Sequence, residues 1–286
     1  MPHFASYDDT GLWYERLGTG APLVVLPGGP GTDLRYLAGL GGLDRHRELI
    51  PLDGRASGRS EVPHDRATVA FTAQARDVEA LREHLGLERL DLLAHSAGCL
   101  TAQEYAAAHP GRVRRAVLVT PVGRAGREPD PAELADLHAA RAAEPWYPAA
   151  AAAQRLLTAG DLTFLQQGML QVRTLPFAWH EWNQRHKAEH VPGHATRLPW
   201  LRAAFYADAA TPDTLADRLA RLAGPRVPYL VIAGASDGMI GTAPARAVAE
   251  LHPDARLEVL ARSGHRPWVE QPAEFVQLVT EFLNTP

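Results

Sequence analysis

Short apolar runs alternate with longer stretches of helical spacing over residues 1–120. Leu23-Val24-Val25-Leu26, Glu48-Leu49-Ile50-Pro51-Leu52, Leu90-Asp91-Leu92-Leu93-Ala94 and Ala116-Val117-Leu118-Val119 are too short for helices and are bounded by turn residues or charge, the pattern of buried strands. Between them, Phe71 to Leu85 sets Ala75, Val78, Leu81 and Leu85 at helical spacing, and Cys99 to His109 is an alanine-rich helix stopped by Pro110-Gly111. This rhythm of strand and helix predicts a mainly parallel sheet covered on both faces by helices.

After Thr120 the pattern changes. Residues 123–205 hold four of the six tryptophans (Trp146, Trp179, Trp182, Trp200), the tract Ala149 to Ala153, and helical patterns without a strand-like run. The sheet rhythm returns with Tyr229 to Ala233, a helix around Pro244 to Leu251, the strand Leu257 to Leu260, and a last amphipathic helix carrying Phe275, Leu278, Val279 and Phe282. The expected organisation is a core whose halves, 1–122 and 206–286, flank a helical cap inserted at 123–205.

Composition narrows the class. Of 286 residues, 46% are hydrophobic and 22% charged, which leaves ample apolar surface for a large core and rules out general disorder. Lysine and arginine number 29 against 33 acidic residues, a net charge of -4, so no global positive field attracts a phosphate backbone or an anionic lipid surface. Neither nucleic acid nor membrane is an expected partner. The lone Cys99 can form neither an intramolecular disulfide nor a multi-thiolate metal site, which suits a reducing compartment. Met1 to Asp9 lack a basic start followed by an apolar stretch, and no run of about 18 apolar residues occurs. The whole chain is therefore expected as the mature protein, located in the cytoplasm.

The candidate chemistry begins at Leu92-Leu93-Ala94-His95-Ser96-Ala97-Gly98, which joins a strand to a helix with small residues on either side of a serine. A serine on so tight a turn holds a strained backbone that lifts its hydroxyl clear of the sheet, and Ala94 and Gly98 let strand and helix approach. Ser96 is the candidate nucleophile; the plain alternative is a serine capping a helix. Asp237 directly follows the strand Tyr229 to Ala233, and His265 directly follows Leu257 to Leu260. Taken singly these are a turn aspartate and a surface-loop histidine. In the order serine, acid, histidine they supply a base for Ser96 and a carboxylate that holds the imidazole in its proton-accepting tautomer.

A tetrahedral oxyanion needs two donors. The backbone N–H of Ala97 stands at the helix start, and that of Gly29 lies in Pro27-Gly28-Gly29-Pro30-Gly31, where Pro30 has no N–H to offer. No Gly-Lys-Ser/Thr follows this cluster, so it is not a phosphate loop.

With these motifs in place the chain resembles the α/β-hydrolase fold and, within it, the proline-iminopeptidase-like group. Pro27 to Gly31 is similar to that group's His-Gly-Gly-Pro-Gly oxyanion loop with proline for the histidine, and Asp53-Gly54-Arg55-Ala56-Ser57-Gly58-Arg59-Ser60 to its Asp-Gln-Arg-Gly-Ser-Gly-Arg-Ser segment. The resemblance implies a serine hydrolase that releases a small N-terminal residue such as proline, with no cofactor and with a short peptide or small molecule as substrate. It also implies substrate-binding roles for Gly28 and for the cap segment Trp179-His180-Glu181-Trp182-Asn183, similar to a Trp-x-x-Trp-Glu segment whose carboxylate holds the substrate's free amino terminus. Asn183 stands where that acid would be, and a neutral amide attracts a desolvated ammonium much less. Glu181 or Glu144 would have to substitute. Ala97 replaces a tryptophan common after the serine in this group and enlarges the pocket there. A carboxylesterase or lactonase acting on a small metabolite is therefore the rival reading, and a binder without turnover is a third.

Three further features have ordinary readings. His186, His190 and His194 are spaced four apart, but Pro192-Gly193 interrupts the last step and no acidic partner accompanies them, so they read as solvated histidines and no metal site is expected. Cys99, one turn after Ser96, reads as a small buried hydrophobe. Arg55 and Arg59 either hold a substrate carboxylate or tie the core together.

Overall fold

The computed structural model describes residues 3–123, 128–190, 198–224 and 226–285. A short antiparallel hairpin comes first, β1 (His3–Ala5) and β2 (Gly11–Trp13). Arms of three residues leave no apolar periodicity to find, and the pattern of runs does not predict it. Six more strands form one sheet: β3 (Pro22–Leu26), β4 (Glu48–Pro51), β5 (Leu90–His95), β6 (Val113–Val119), β7 (Tyr229–Gly234) and β8 (Ala255–Leu260). Their spatial order is β4-β3-β5-β6-β7-β8, with every pairing parallel. All six expected strands are present. The start of β6 was hidden by Arg114 and Arg115, whose guanidiniums reach the carbonyls of Leu283 and Thr285 at the far end of the chain.

Side-chain alternation sorts the sheet onto two cores. Val24, Leu26, Ile50, Leu92, Ala94, Leu118 and Val231 face one side, and Leu23, Val25, Leu49, Leu93, Val117, Val119 and Ile232 the other. On the first face lie α1 (Ala75–His84), α2 (Gly98–Ala108) and α9 (Ala243–Leu251), through Val78, Leu81, Ala102, Tyr105 and Val248. On the second lie the turns around Leu37, Leu40 and Leu43, α10 (Pro267–Glu270) and α11 (Pro272–Asn284), which presents Phe275, Val279 and Phe282 at spacings of four and three. Each such buried side chain contributes about 1.5–3 kcal/mol over exposure. The edge strand β8 carries Arg256 paired with Glu258 at 2.6 Å, charge that blunts a free edge.

Between β6 and β7 the described residues form helices and no strand: α3 (Pro131–Ala139), α4 (Tyr147–Ala159), α5 (Phe164–Thr174), α6 (Gln184–His190), α7 (Leu201–Phe205) and α8 (Leu215–Ala223). The last of these packs on α2, where Arg218 and Arg221 converge on Glu104. Among the described residues no helix is long and apolar enough to cross a membrane.

The sheet order fixes where a site can form. From β3 the chain moves outward to β4 and then crosses back to β5 on the other side of β3, so the loops leaving β3 and β5 diverge at the carboxyl edge. Such a switch point opens a crevice. The glycine loop follows β3, and Ser96 follows β5.

Candidate active site

Ser96 sits at φ +51°, the left-handed region a side chain avoids unless the surroundings enforce it. Its N–H donates to the Val119 carbonyl at 2.9 Å and its carbonyl accepts from Cys99 N–H at 3.1 Å, so both neighbours of the turn grip the strained residue. The small residues have a steric cause. A Cβ on Gly98 would lie 2.5 Å from the Pro27 carbonyl oxygen and 2.7 Å from that of Leu26, and one on Gly28 would lie 2.9 Å from the Ser96 Cβ. The loop after β3 therefore rests directly on the turn after β5.

The two later loops bring their side chains to Ser96. His265 Nε2 is 3.1 Å from Ser96 Oγ, and His265 Nδ1 is 2.7 Å from Asp237 Oδ2. A carboxylate only accepts, so Nδ1 carries the proton and Nε2 presents its lone pair to the serine hydroxyl. Asp237 is wholly buried, and its other oxygen accepts the N–H groups of Met239 at 3.0 Å and Ile240 at 3.2 Å. Gly234 permits this convergence: a Cβ there would lie 2.1 Å from the Gly264 carbonyl oxygen.

Among the described residues, neither the N–H of Gly29 nor that of Ala97 donates to any acceptor of the chain; Ala97 directly follows Ser96, and Gly29 follows the glycine that packs on it. The N–H of Gly28 is engaged instead, donating to the Tyr36 hydroxyl at 2.6 Å, so it has no proton left for a ligand.

The helical segment is pinned to these loops. Glu270 Oε1 accepts the N–H groups of His180 (2.8 Å) and Glu181 (3.1 Å), while Oε2 accepts that of Gly264 (2.7 Å). Burial raises the Glu270 pKa, partly offset by these three donors. Glu133 of α3 accepts from Thr242 and Ala243 beyond Asp237, and the Phe177 carbonyl accepts from Gly238 N–H. None of Glu133, Glu270, Tyr36 or His95 stands out in the sequence. Each is an isolated polar residue that only its folded surroundings mark out, burial for Tyr36, His95 and the Glu270 carboxylate and, for Glu133, its bonds to Thr242 and Ala243, although His95 adjoins Ser96 and Glu270 lies five residues beyond His265.

Other candidate positions divide. Trp179 is 2% exposed and stacks on His186 with centroids 4.7 Å apart, so its indole is packed inward. Asn183 uses its side-chain oxygen on the N–H of His186 at 3.0 Å, the role of a helix cap for α6. Glu181 and Glu144 are exposed, and Trp182 is half-buried. Arg55 is wholly buried and paired with Asp77 and Asp8, so it ties the fold together, whereas Arg59 stays exposed and pairs with Glu15 at the surface. Cys99 is buried with its thiol on the Ala94 carbonyl. His186 is buried with Nδ1 toward the Glu181 carbonyl, and His194 lies outside the described residues; among those described no cluster suits a metal ion.

A parallel sheet that presents a strained serine, a histidine and a buried aspartate along its carboxyl edge is the scaffold of a hydrolase. Residues 21–272 match the alpha/beta hydrolase fold, and the chain belongs to that family. Over 274 residues it is 27% identical to a protein provisionally named carbamate hydrolase RutD from Pseudomonas savastanoi pv. phaseolicola, covering 92% of this chain and 94% of that one. Over 287 residues it is 26% identical to the proline iminopeptidase of Lactobacillus delbrueckii subsp. bulgaricus, covering 92% and 90%. The resemblance to the proline-iminopeptidase-like group thus holds at low identity. A solved alpha/beta fold family hydrolase from Bacillus anthracis str. Sterne superposes with a TM-score of 0.72 over 98% of each chain at 17% identity, a match of fold. Fold and relatives together support an enzyme of the hydrolase class.

Proposed function

We propose that this chain is a serine hydrolase working through an acyl-enzyme, and the observation that carries the reading is the unbroken run from Ser96 Oγ to His265 Nε2 (3.1 Å) and from His265 Nδ1 to Asp237 Oδ2 (2.7 Å). Ser96 Oγ adds to the substrate carbonyl carbon while its proton passes to His265 Nε2. The oxyanion so formed takes hydrogen bonds from Gly29 and Ala97 N–H, two donors with no other acceptor among the described residues. His265 returns the proton to the leaving oxygen or nitrogen as that bond breaks, leaving the acyl group on Ser96. Water then adds to the acyl carbonyl with His265 again as base, and the acid departs.

For the substrate, similarity to a proline iminopeptidase supports a peptide or amide with a small N-terminal residue. A second reading has its own observation. Asn183 spends its side-chain oxygen on capping α6 and Glu181 is exposed, so neither presents a buried negative group for an ammonium. This favours a small ester, lactone or carbamate without a free-amine requirement.

A fluorophosphonate probe tests the class. Native protein is expected to be labelled at Ser96, and Ser96→Ala to lose labelling together with about 10⁴-fold or more of its turnover. An unlabelled native protein, or turnover that survives Ser96→Ala, overturns the reading. Prolyl and alanyl arylamides set against p-nitrophenyl esters divide the substrates: faster cleavage of free-amine arylamides than of their N-blocked forms establishes the aminopeptidase, and the reverse order the esterase.

A further inference from the structure

A line of hydrogen bonds runs behind the nucleophile through two buried side chains, Tyr36 and His95. Gly28 N–H lies 2.6 Å from the Tyr36 hydroxyl oxygen, which lies 2.7 Å from His95 Nδ1; His95 Nε2 lies 3.0 Å from the His265 carbonyl oxygen. The two ends dictate every proton between them. Gly28 N–H only donates, so Tyr36 oxygen accepts there and points its own proton at His95 Nδ1. His95 Nδ1 must then be the bare nitrogen, the ring proton sits on Nε2, and Nε2–H donates to the carbonyl, which only accepts. Only the neutral imidazole fits this arrangement. Burial and the nearby His265 ring lower the His95 pKa well below its ordinary value, in keeping with that form.

Packing leaves the line little slack. Tyr36 and His95 are 4% and 3% exposed, and the His95 ring meets Trp268 and His265 edge-on, both with centroids 4.8 Å away. The His265 carbonyl takes a second bond from Thr120 Oγ at 3.1 Å. At one end the line holds the residue before Gly29, and at the other the backbone of His265.

Building on the serine-hydrolase reading, we propose that Tyr36 and His95 are positioning residues, which set the Gly29 N–H against His265 so that oxyanion and proton acceptor are served at once. Neither touches substrate. Their effect falls on the transition state, where a donor displaced by a fraction of an ångström loses most of its value.

Tyr36→Phe tests this, since it keeps the ring and removes only the hydroxyl. With p-nitrophenyl butyrate, at a temperature where circular dichroism shows the fold intact, kcat is expected to fall at least tenfold with KM within about twofold. Affinity for butylboronic acid, which presents a tetrahedral oxyanion, is expected to fall by a similar factor. A merely structural role would not tie these two losses together. If Tyr36→Phe does not fold, His95→Gln replaces it: the amide N–H can reach the His265 carbonyl while the bond from Tyr36 is lost, and the same kcat-only loss is expected. A folded variant with full kcat, or with lowered kcat and undiminished boronate affinity, overturns the proposal. Failure of the underlying reading is seen separately, as a native protein that the fluorophosphonate does not label.

Discussion

Two helices of eleven residues, α2 and α5, are both poor in charge and have opposite fates. In α2 every residue from Gly98 to Ala106 is buried, whereas in α5 only Leu170 is, and Leu165, Met169 and Val172 stand 73%, 57% and 51% exposed. The more apolar composition of α2 is part of the difference, and side-chain size is the rest. Glycine and alanine let α2 settle onto the sheet until Gly98 touches the carbonyls of Leu26 and Pro27, while α5 carries bulky groups around its circumference and has α4 as its main support. The difference teaches that the strand-to-helix unit bearing Ser96 is held by close packing, whereas the outer helices keep a fold that their exposed apolar groups do little to stabilise.

The largest test of that contrast is Gly98→Ala. One methyl against two fixed carbonyl oxygens is expected to cost about 3 kcal/mol or more in urea unfolding and to push the Gly29 loop off its place, with turnover lost. Native-like stability and activity would show the packing to be loose.

A second test uses charge within the packed region. Asp53 is buried, and desolvation raises its pKa from 3.8 to about 6, against the N–H groups of Leu34 and Arg59 that favour its ionised form. The raised value means that its stabilising contribution is complete below about pH 4 and is lost as pH rises through about 6, up to about 3 kcal/mol. Asp53→Asn cannot ionise. Between pH 4 and pH 7 the difference in unfolding free energy between variant and native protein is expected to move in the variant's favour by up to that amount, and a difference flat with pH refutes the assignment.

The smallest effect belongs to α5. Leu165→Glu is expected to change stability by no more than about 0.5 kcal/mol, because the side chain it removes is already in water. A loss of 2 kcal/mol would mean that this face is covered.

Strand positions and their parallel arrangement were legible because the inner strands are short apolar runs buried on both faces, Leu23 to Leu26 most plainly, and the edge strand β8 still keeps an apolar run from Leu257 to Leu260 broken only by Glu258. Ser96, Asp237 and His265 could be located because each follows such a run directly, and the folded chain brings them within hydrogen-bonding distance. What stayed hidden depends on burial and on distant partners. Nothing in the residue string distinguishes Asn183 as a helix cap from Asn183 as a pocket residue, or tells that Gly28 N–H is bound to a tyrosine eight residues on. The β1–β2 hairpin is too short for periodicity to register.

The carboxylate of Glu270 joins residues that otherwise belong to separate parts of the molecule, holding His180 and Glu181 with one oxygen and Gly264 with the other. Any displacement of the 179–183 segment is thereby carried through a single side chain to Gly264, the residue before His265.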